Sequence, residues 1–82
     1  MELPQTFGRN VKLARKATGL SQEAFADVSG IARSYMSDVE RGARNPTLEV
    51  VERIALALQT PAHYLLDPDF RPCPVEPGAV AK

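Results

Sequence analysis

The chain has 82 residues, with ten Lys or Arg balanced by ten Asp or Glu. This length suits one small domain, and no apolar run approaches the roughly 20 residues of a membrane span. No secretory signal is visible at the N-terminus. The single cysteine, Cys73, excludes an internal disulfide and suits a reducing cytoplasm, the location we expect.

The charges are unevenly distributed, although the formal net charge is zero. Residues 1–46 hold seven Lys or Arg against five Asp or Glu, and residues 47–82 hold three against five. The first part is therefore net +2 and the second net −2. No acid lies between Glu2 and Glu23, a segment that holds four basic residues: Arg9, Lys12, Arg15 and Lys16. This run indicates either a basic face or an ordinary solvated helix surface.

The first predicted helix runs from about Thr6 to Ala17, with Thr6 as its N-cap and Gly19 as a left-handed stop. The second begins after Ser21, a good N-cap, and ends at about Val28. Spacings of three and four residues predict that both helices bury one face. The predicted inward residues are Phe7, Val11, Ala14, Phe25 and Ala26.

A third helix is predicted from about Ala32 to Arg41, stopping at Gly42, with Met36 and Val39 inward. A loop around Pro46 follows, because proline and its neighbour disfavour helix. Thr47 then caps a fourth helix. Its predicted inward residues are Leu48, Val51, Ala55 and Leu58.

Thr60 followed by Pro61 predicts a cap with proline at the first position of a short fifth helix. From Asp67 onward, prolines crowd the sequence and predict an irregular or disordered tail. Phe70, the tail's only large aromatic residue, either folds back onto the domain or has no role. We therefore predict an all-α, five-helix domain over residues 1–66 and a Pro-rich tail over residues 67–82.

The spacing between the second and third helices predicts a helix-turn-helix. Ala26 is small enough for a close helix crossing, and Gly30 suits a turn that needs positive φ. Ile31, Met36 and Val39 have the spacing to pack back under the second helix. In this motif the second helix enters the major groove of double-stranded DNA.

Four stretches resemble the lambda-repressor-like (XRE-type) helix-turn-helix domains over roughly residues 6–66. They are Leu20-Ser21-Gln22-Glu23, Gly30-Ile31-Ala32-Arg33-Ser34, Val39-Glu40-Arg41-Gly42 and Asn45-Pro46-Thr47-Leu48-Glu49. Arg33-Ser34-Tyr35-Met36-Ser37, with the residues after it, also resembles the controller proteins of restriction–modification systems. Those are single-domain dimers of similar size.

The sequence departs from the family pattern in three places. Ser29 replaces an aliphatic residue before the turn glycine, and Ala32 replaces a common capping Ser or Thr. Leu56 stands where Lys is common, which indicates either a covered surface or a scattered exposed leucine.

The residues opposite the inward face of the third helix are candidates for base contact: Arg33, Ser34, Ser37 and Asp38. An arginine can bond O6 and N7 of guanine together, although Arg33 could also be simply solvated. Ser34 and Ser37 could bond a base or a phosphate. Asp38 accepts from a cytosine amine, orients Arg33 or faces solvent.

The predicted phosphate contacts are Gln22, Tyr35, Arg41, Arg44 and Asn45. The resemblance implies that Gln22 clamps the DNA backbone at the start of the second helix. Tyr35 either reaches a phosphate with its hydroxyl or packs beside the core. Arg9 and Lys12 could add electrostatic attraction.

The resemblance further implies an ion pair between Arg15 and Glu40 that ties the first helix to the third. A homodimer on a pseudo-palindromic operator is expected, with contact to RNA polymerase as one route to regulation. The predicted dimer interface comprises Leu56, Tyr64, Leu65 and Leu66, unless these residues only cap the monomer core.

No catalytic set, cofactor or small-molecule ligand is expected. His63 is a lone histidine, so no metal site is expected either. Cys73 is either an incidental thiol or forms a disulfide across a dimer. Two rival functions remain: an antitoxin-like module whose main partner is another protein, and a helical bundle used only for assembly.

Overall fold

A computed structural model describes residues 2–72 and contains five α-helices and no strand in that range. Residues 73–82, including Cys73, lie outside it. The helices are α1 (Leu3–Thr18), α2 (Gln22–Ser29), α3 (Arg33–Glu40), α4 (Leu48–Leu58) and α5 (Ala62–Leu65). The predicted all-α, five-helix architecture is confirmed.

Helix α1 begins one turn earlier than predicted. Thr6 lies inside the helix, where its N–H donates to the Glu2 carbonyl at 2.9 Å, so its assignment as N-cap was wrong. Pro4 fits the first turn because helices leave their first N–H groups unpaired and a proline has none to lose. At the other end, Gly19 has φ 81° and stops the helix as predicted.

Of the three other predicted N-caps, two form and one does not. Ser21 Oγ accepts from the Ala24 N–H at 3.1 Å, and Thr47 Oγ1 accepts from the Val50 N–H at 3.2 Å. The Thr60 hydroxyl instead donates to the Leu58 carbonyl at 3.1 Å. The Thr60 hydroxyl therefore satisfies a carbonyl at the C-terminal end of α4. Pro61 is the N-cap residue of α5.

The core forms where α1 packs against α3, α4 and α5, while α2 packs against α3 and α4. On α4 the prediction was partly wrong. Leu48 is 85% exposed, whereas Ile54 is fully buried. Leu48 is the first residue of α4, and the buried face of that helix starts only at Val51.

The chain remains packed on α1 beyond Leu66. Asn10 is completely buried, and its side-chain amide donates to the carbonyls of Leu65 at 2.9 Å and Asp67 at 2.8 Å. Arg9 donates to the Pro68 carbonyl at 2.6 Å. Phe70 then joins the core with 7% exposure, so this aromatic residue folds back onto the domain.

Helices α1 and α3 touch through their backbones. A Cβ atom on Gly8 would lie 2.1 Å from the carbonyl oxygen of Val39, well inside van der Waals contact. Only glycine fits this position without a shift of one helix. Gly8 therefore sets how closely α3 approaches the rest of the fold.

Candidate nucleic-acid interface

The connection between α2 and α3 is a tight turn at Gly30. This residue has φ 71°, as its predicted role requires. The Ile31 N–H donates back to the Ala26 carbonyl at 3.0 Å, and Ala26 is 2% exposed. Ile31 packs against the core. The predicted combination of a small crossing residue, a left-handed glycine and an inward aliphatic residue is therefore present.

Helix α3 divides into a buried side and an exposed side. Met36 and Val39 are at most 1% exposed, whereas Arg33 and Ser34 lie at the surface and Ser37 is partly exposed. The Arg33 side chain makes no hydrogen bond or ion pair within residues 2–72. Its donors are thus available to an external acceptor. Ala32 is the N-cap residue of α3 and gives it no side-chain cap, as the departure from the family pattern predicts.

Asp38 accepts from two arginines that follow it. It pairs with Arg41 and, at 3.2 Å, with Arg44. The hydrogen bonds from Arg44 and Arg41 hold the pKa of the Asp38 carboxyl below its ordinary value. The alternative in which Asp38 orients Arg33 was wrong, because Asp38 accepts from Arg41 and Arg44 and Arg33 makes no hydrogen bond to it.

Tyr35 is partly buried beside the core, one of its two predicted positions. The guanidinium carbon of Arg44 lies 4.5 Å from the centre of its ring, close enough for a cation–π interaction. Arg44 is thus held by an aromatic face and by a carboxylate. Arg41 has 65% of its side chain exposed and Arg44 48%.

Arg15 and Glu40 form a buried ion pair between α1 and α3. Arg15 Nε and Nη2 donate to the two carboxylate oxygens at 2.7 and 3.0 Å, and the side chains are 9% and 3% exposed. Gln22 Nε2 donates to Glu40 at 3.1 Å, which adds α2 to the same junction. Glu40 therefore presents little negative charge to the outside.

The residues predicted for self-association are not all exposed. Leu65 is completely buried in the monomer core, so its assignment to a dimer interface was wrong. The helix α5 that carries it is short and turns this side chain inward against α1 and α4. Leu66 is partly buried against the core, whereas Leu56 is 71% exposed and Tyr64 51%.

Two residues that position the site were missed by sequence analysis. Gly8 lies in the middle of α1, and a glycine there weakens a helix unless a close contact requires it. Asn10 lies next to the buried stripe of α1, where a polar residue indicates a specific hydrogen-bonding role. Both signals were present in the sequence.

Among residues 2–72, no three His, Cys, Asp or Glu side chains come close enough to hold a metal ion. No helix in this range has the length and apolar composition needed to cross a membrane.

Comparison with known proteins agrees with this geometry. Residues 11–65 match the helix-turn-helix family HTH_3. The control protein C.SmaI of Serratia marcescens is 39% identical over 66 residues, covering 80% of this chain and 79% of that protein. The restriction–modification controller protein C.AhdI from Aeromonas hydrophila superposes with a TM-score of 0.73 at 42% identity, covering 76% of this chain and 94% of that chain.

SinR, a master regulator for biofilm formation solved in complex with DNA, superposes with a TM-score of 0.72 at 35% identity, covering 74% of this chain and 98% of that chain. The SinR protein/SinI protein complex gives the same TM-score. The chain spans 55% of the length of full SinR from Bacillus subtilis. These relatives are regulators and control proteins, not enzymes, as the sequence predicts. The chain belongs to the helix-turn-helix family of DNA-binding transcriptional regulators, and it is similar to restriction–modification controller proteins.

Proposed function

We propose that the chain binds a pseudo-palindromic operator as a homodimer in the cytoplasm, with α3 of each protomer in the major groove. Two such helices would read half-sites about 34 Å apart on one face of the duplex. One observation carries the proposal: Arg33 and Ser34 stand exposed directly after the tight turn at Gly30, and Arg33 has no partner within residues 2–72.

Arg33 is the proposed base-reading residue. Its fork of donors matches O6 and N7 of guanine, which supplies roughly 1–3 kcal/mol of discrimination. Ser34 and Ser37 lie on the same helix and bond either a base edge or a phosphate. Asp38 accepts one arginine hydrogen bond at each carboxylate oxygen, and the remaining lone pairs are available to a cytosine amine.

The proposed phosphate contacts flank α3 on both sides. Gln22 uses one amide hydrogen for Glu40, which leaves the second for a phosphate at the start of α2, where free backbone N–H groups attract anions. On the other side lie exposed donors that fix register rather than sequence: Arg41, Arg44, Asn45 and the hydroxyl of Tyr35.

The proposed self-association surface is reduced to Leu56 and Tyr64, with the exposed edge of Leu66. Large exposed apolar side chains on a small domain are candidates for such contacts. In this proposal, regulation of transcription depends on the protein concentration, on the arrangement of the binding sites and on contact with RNA polymerase.

The test is selection of bound sites from random duplexes with the unchanged chain, Arg33→Ala and Gln22→Ala. We expect Arg33→Ala to lose preference at one base position, and Gln22→Ala to weaken all sequences alike. Arg71→Ala serves as the control, because Arg71 is exposed and lies beyond α5. Equal affinity of the unchanged chain for every duplex at moderate salt would overturn the proposal.

The second candidate function is an antitoxin-like module whose main partner is another protein. The SinR protein/SinI protein complex supports this second candidate, since a relative with this fold is found there in a complex with another protein. Purification of the tagged chain from its own host distinguishes the two. A stoichiometric partner protein would support the second candidate, and co-purified DNA without such a protein would support the first.

A further inference from the structure

One acidic side chain lies among the exposed donors at the end of α3. We call Tyr35, Asp38, Arg41 and Arg44 the Asp38 cluster. Both oxygens of Asp38 are engaged, one by Arg41 and the other by Arg44 at 3.2 Å. The Asp38 side chain is 28% exposed. A single carboxylate therefore holds two guanidinium groups at the surface.

The two arginines are held unequally. Arg44 also lies over the ring of Tyr35, with its guanidinium carbon 4.5 Å from the ring centre. Arg41 has only the Asp38 contact within residues 2–72, and 65% of its side chain is exposed. Removal of the carboxylate would thus free Arg41 completely, whereas Arg44 would keep its aromatic support.

The charges of the cluster bear on DNA binding. Two guanidinium groups and one carboxylate leave a net charge of +1 where the arginines alone would give +2. Binding to DNA without regard to sequence depends on phosphate neutralisation, and each neutralised phosphate adds about 0.9 to the slope of log affinity against log salt. A carboxylate that competes with phosphate for an arginine lowers this sequence-independent component.

We infer that Asp38 is a positioning residue that restrains Arg41 and Arg44 and so limits the affinity for DNA of unrelated sequence. The inference rests on the proposed function and gives Asp38 a role in specificity that does not depend on contact with a base. The ratio of specific to sequence-independent binding, rather than affinity alone, decides whether a regulator finds its site among competing DNA. Asp38 raises that ratio by weakening the binding to DNA of unrelated sequence.

The experiment measures binding of Asp38→Asn to a random-sequence duplex and to the selected site as salt is raised. Relative to the unchanged chain, we expect the random duplex to bind on the order of tenfold tighter at low salt, with a slope steeper by about 0.9. The site should gain less, so the specificity ratio should fall. Asp69→Asn is the matched control, because Asp69 is an exposed aspartate beyond α5.

Two double variants separate restraint of an arginine from a general loss of negative charge. Arg41→Gln added to Asp38→Asn should return the slope to that of the unchanged chain, because the freed donor is gone. Arg71→Gln added to Asp38→Asn restores the same net charge at an exposed site beyond α5 and should leave the slope as steep as in Asp38→Asn. An increase of the same size in Asp69→Asn, or weaker binding of Asp38→Asn to both duplexes, would overturn the inference. Failure of the unchanged chain to bind any duplex would instead overturn the proposed function itself.

Discussion

Glu40 accepts two hydrogen bonds from Arg15, and almost no water reaches either side chain. The pair joins the last residue of the proposed recognition helix to the last turn of α1. Both charges are compensated only as long as both residues are present. The orientation of α3 therefore depends on a contact on the side of the helix away from its exposed face.

Glu40→Ala should lower the free energy of unfolding by about 3–5 kcal/mol, because it leaves the Arg15 charge buried without a partner. Denaturant unfolding measures the change. The double variant Arg15→Met with Glu40→Leu should be markedly more stable than Glu40→Ala, since no unpaired charge remains. A double variant as unstable as the single one would show that the pair is not what holds the junction.

Gly8→Ala should lower the free energy of unfolding by about 1–3 kcal/mol, the usual cost of overpacking. The added Cβ would meet the Val39 carbonyl at 2.1 Å, so α1 and α3 must separate. Helix propensity alone predicts the opposite sign, a gain of roughly 0.5–1 kcal/mol. Thermal unfolding distinguishes the two, and a more stable variant would contradict the close contact.

Asn10→Ala should cost about 1–3 kcal/mol, because the Leu65 and Asp67 carbonyls lose their donor inside the fold. Amide exchange should accelerate in residues 65–70 more than in α2. The control is Asn45→Ala, since Asn45 is exposed. If the two variants unfold at the same temperature, the contact between α1 and residues 65–67 contributes nothing to stability.

Leu56→Glu should shift the chain toward monomer in sedimentation equilibrium and weaken binding to a two-half-site operator more than to a single half-site. A charge would then lie at a surface proposed to be covered in the dimer. Leu48→Glu is the matched control, because Leu48 is also exposed, at 85%. Unchanged sedimentation of Leu56→Glu would place the dimer interface elsewhere or remove it.

The sequence predicted the elements whose signals are local. Helix periodicity, the caps at Ser21 and Thr47 and the left-handed glycines at 19 and 30 each involve residues a few positions apart, so they are visible in the chain itself. The start of α1 was misplaced because Thr6 is a good cap by type, although Pro4 starts the helix earlier. A single residue type could not decide between those two starts.

The contacts between distant segments could be predicted only in part. The pair of Arg15 with Glu40 came from family resemblance, whereas the buried bonds of Asn10 depend on where α5 ends. Asp38 could not be matched with Arg44 because the loop after α3 sets the position of Arg44. Its pairing with Arg41, three residues later, is a local spacing that the sequence analysis missed. The sequence left Leu65 between the dimer interface and the monomer core, because a four-residue helix has too little periodicity to show its inward face.

The two sides of α3 suggest how this chain could be given new targets. Met36, Val39 and Glu40 are buried and hold the helix against the core, while Arg33 and Ser34 are exposed and their side chains make no hydrogen bond or ion pair within residues 2–72. Randomising those two exposed codons would therefore yield libraries in which most members still fold. Altered operator preference could be selected without first engineering a more stable scaffold.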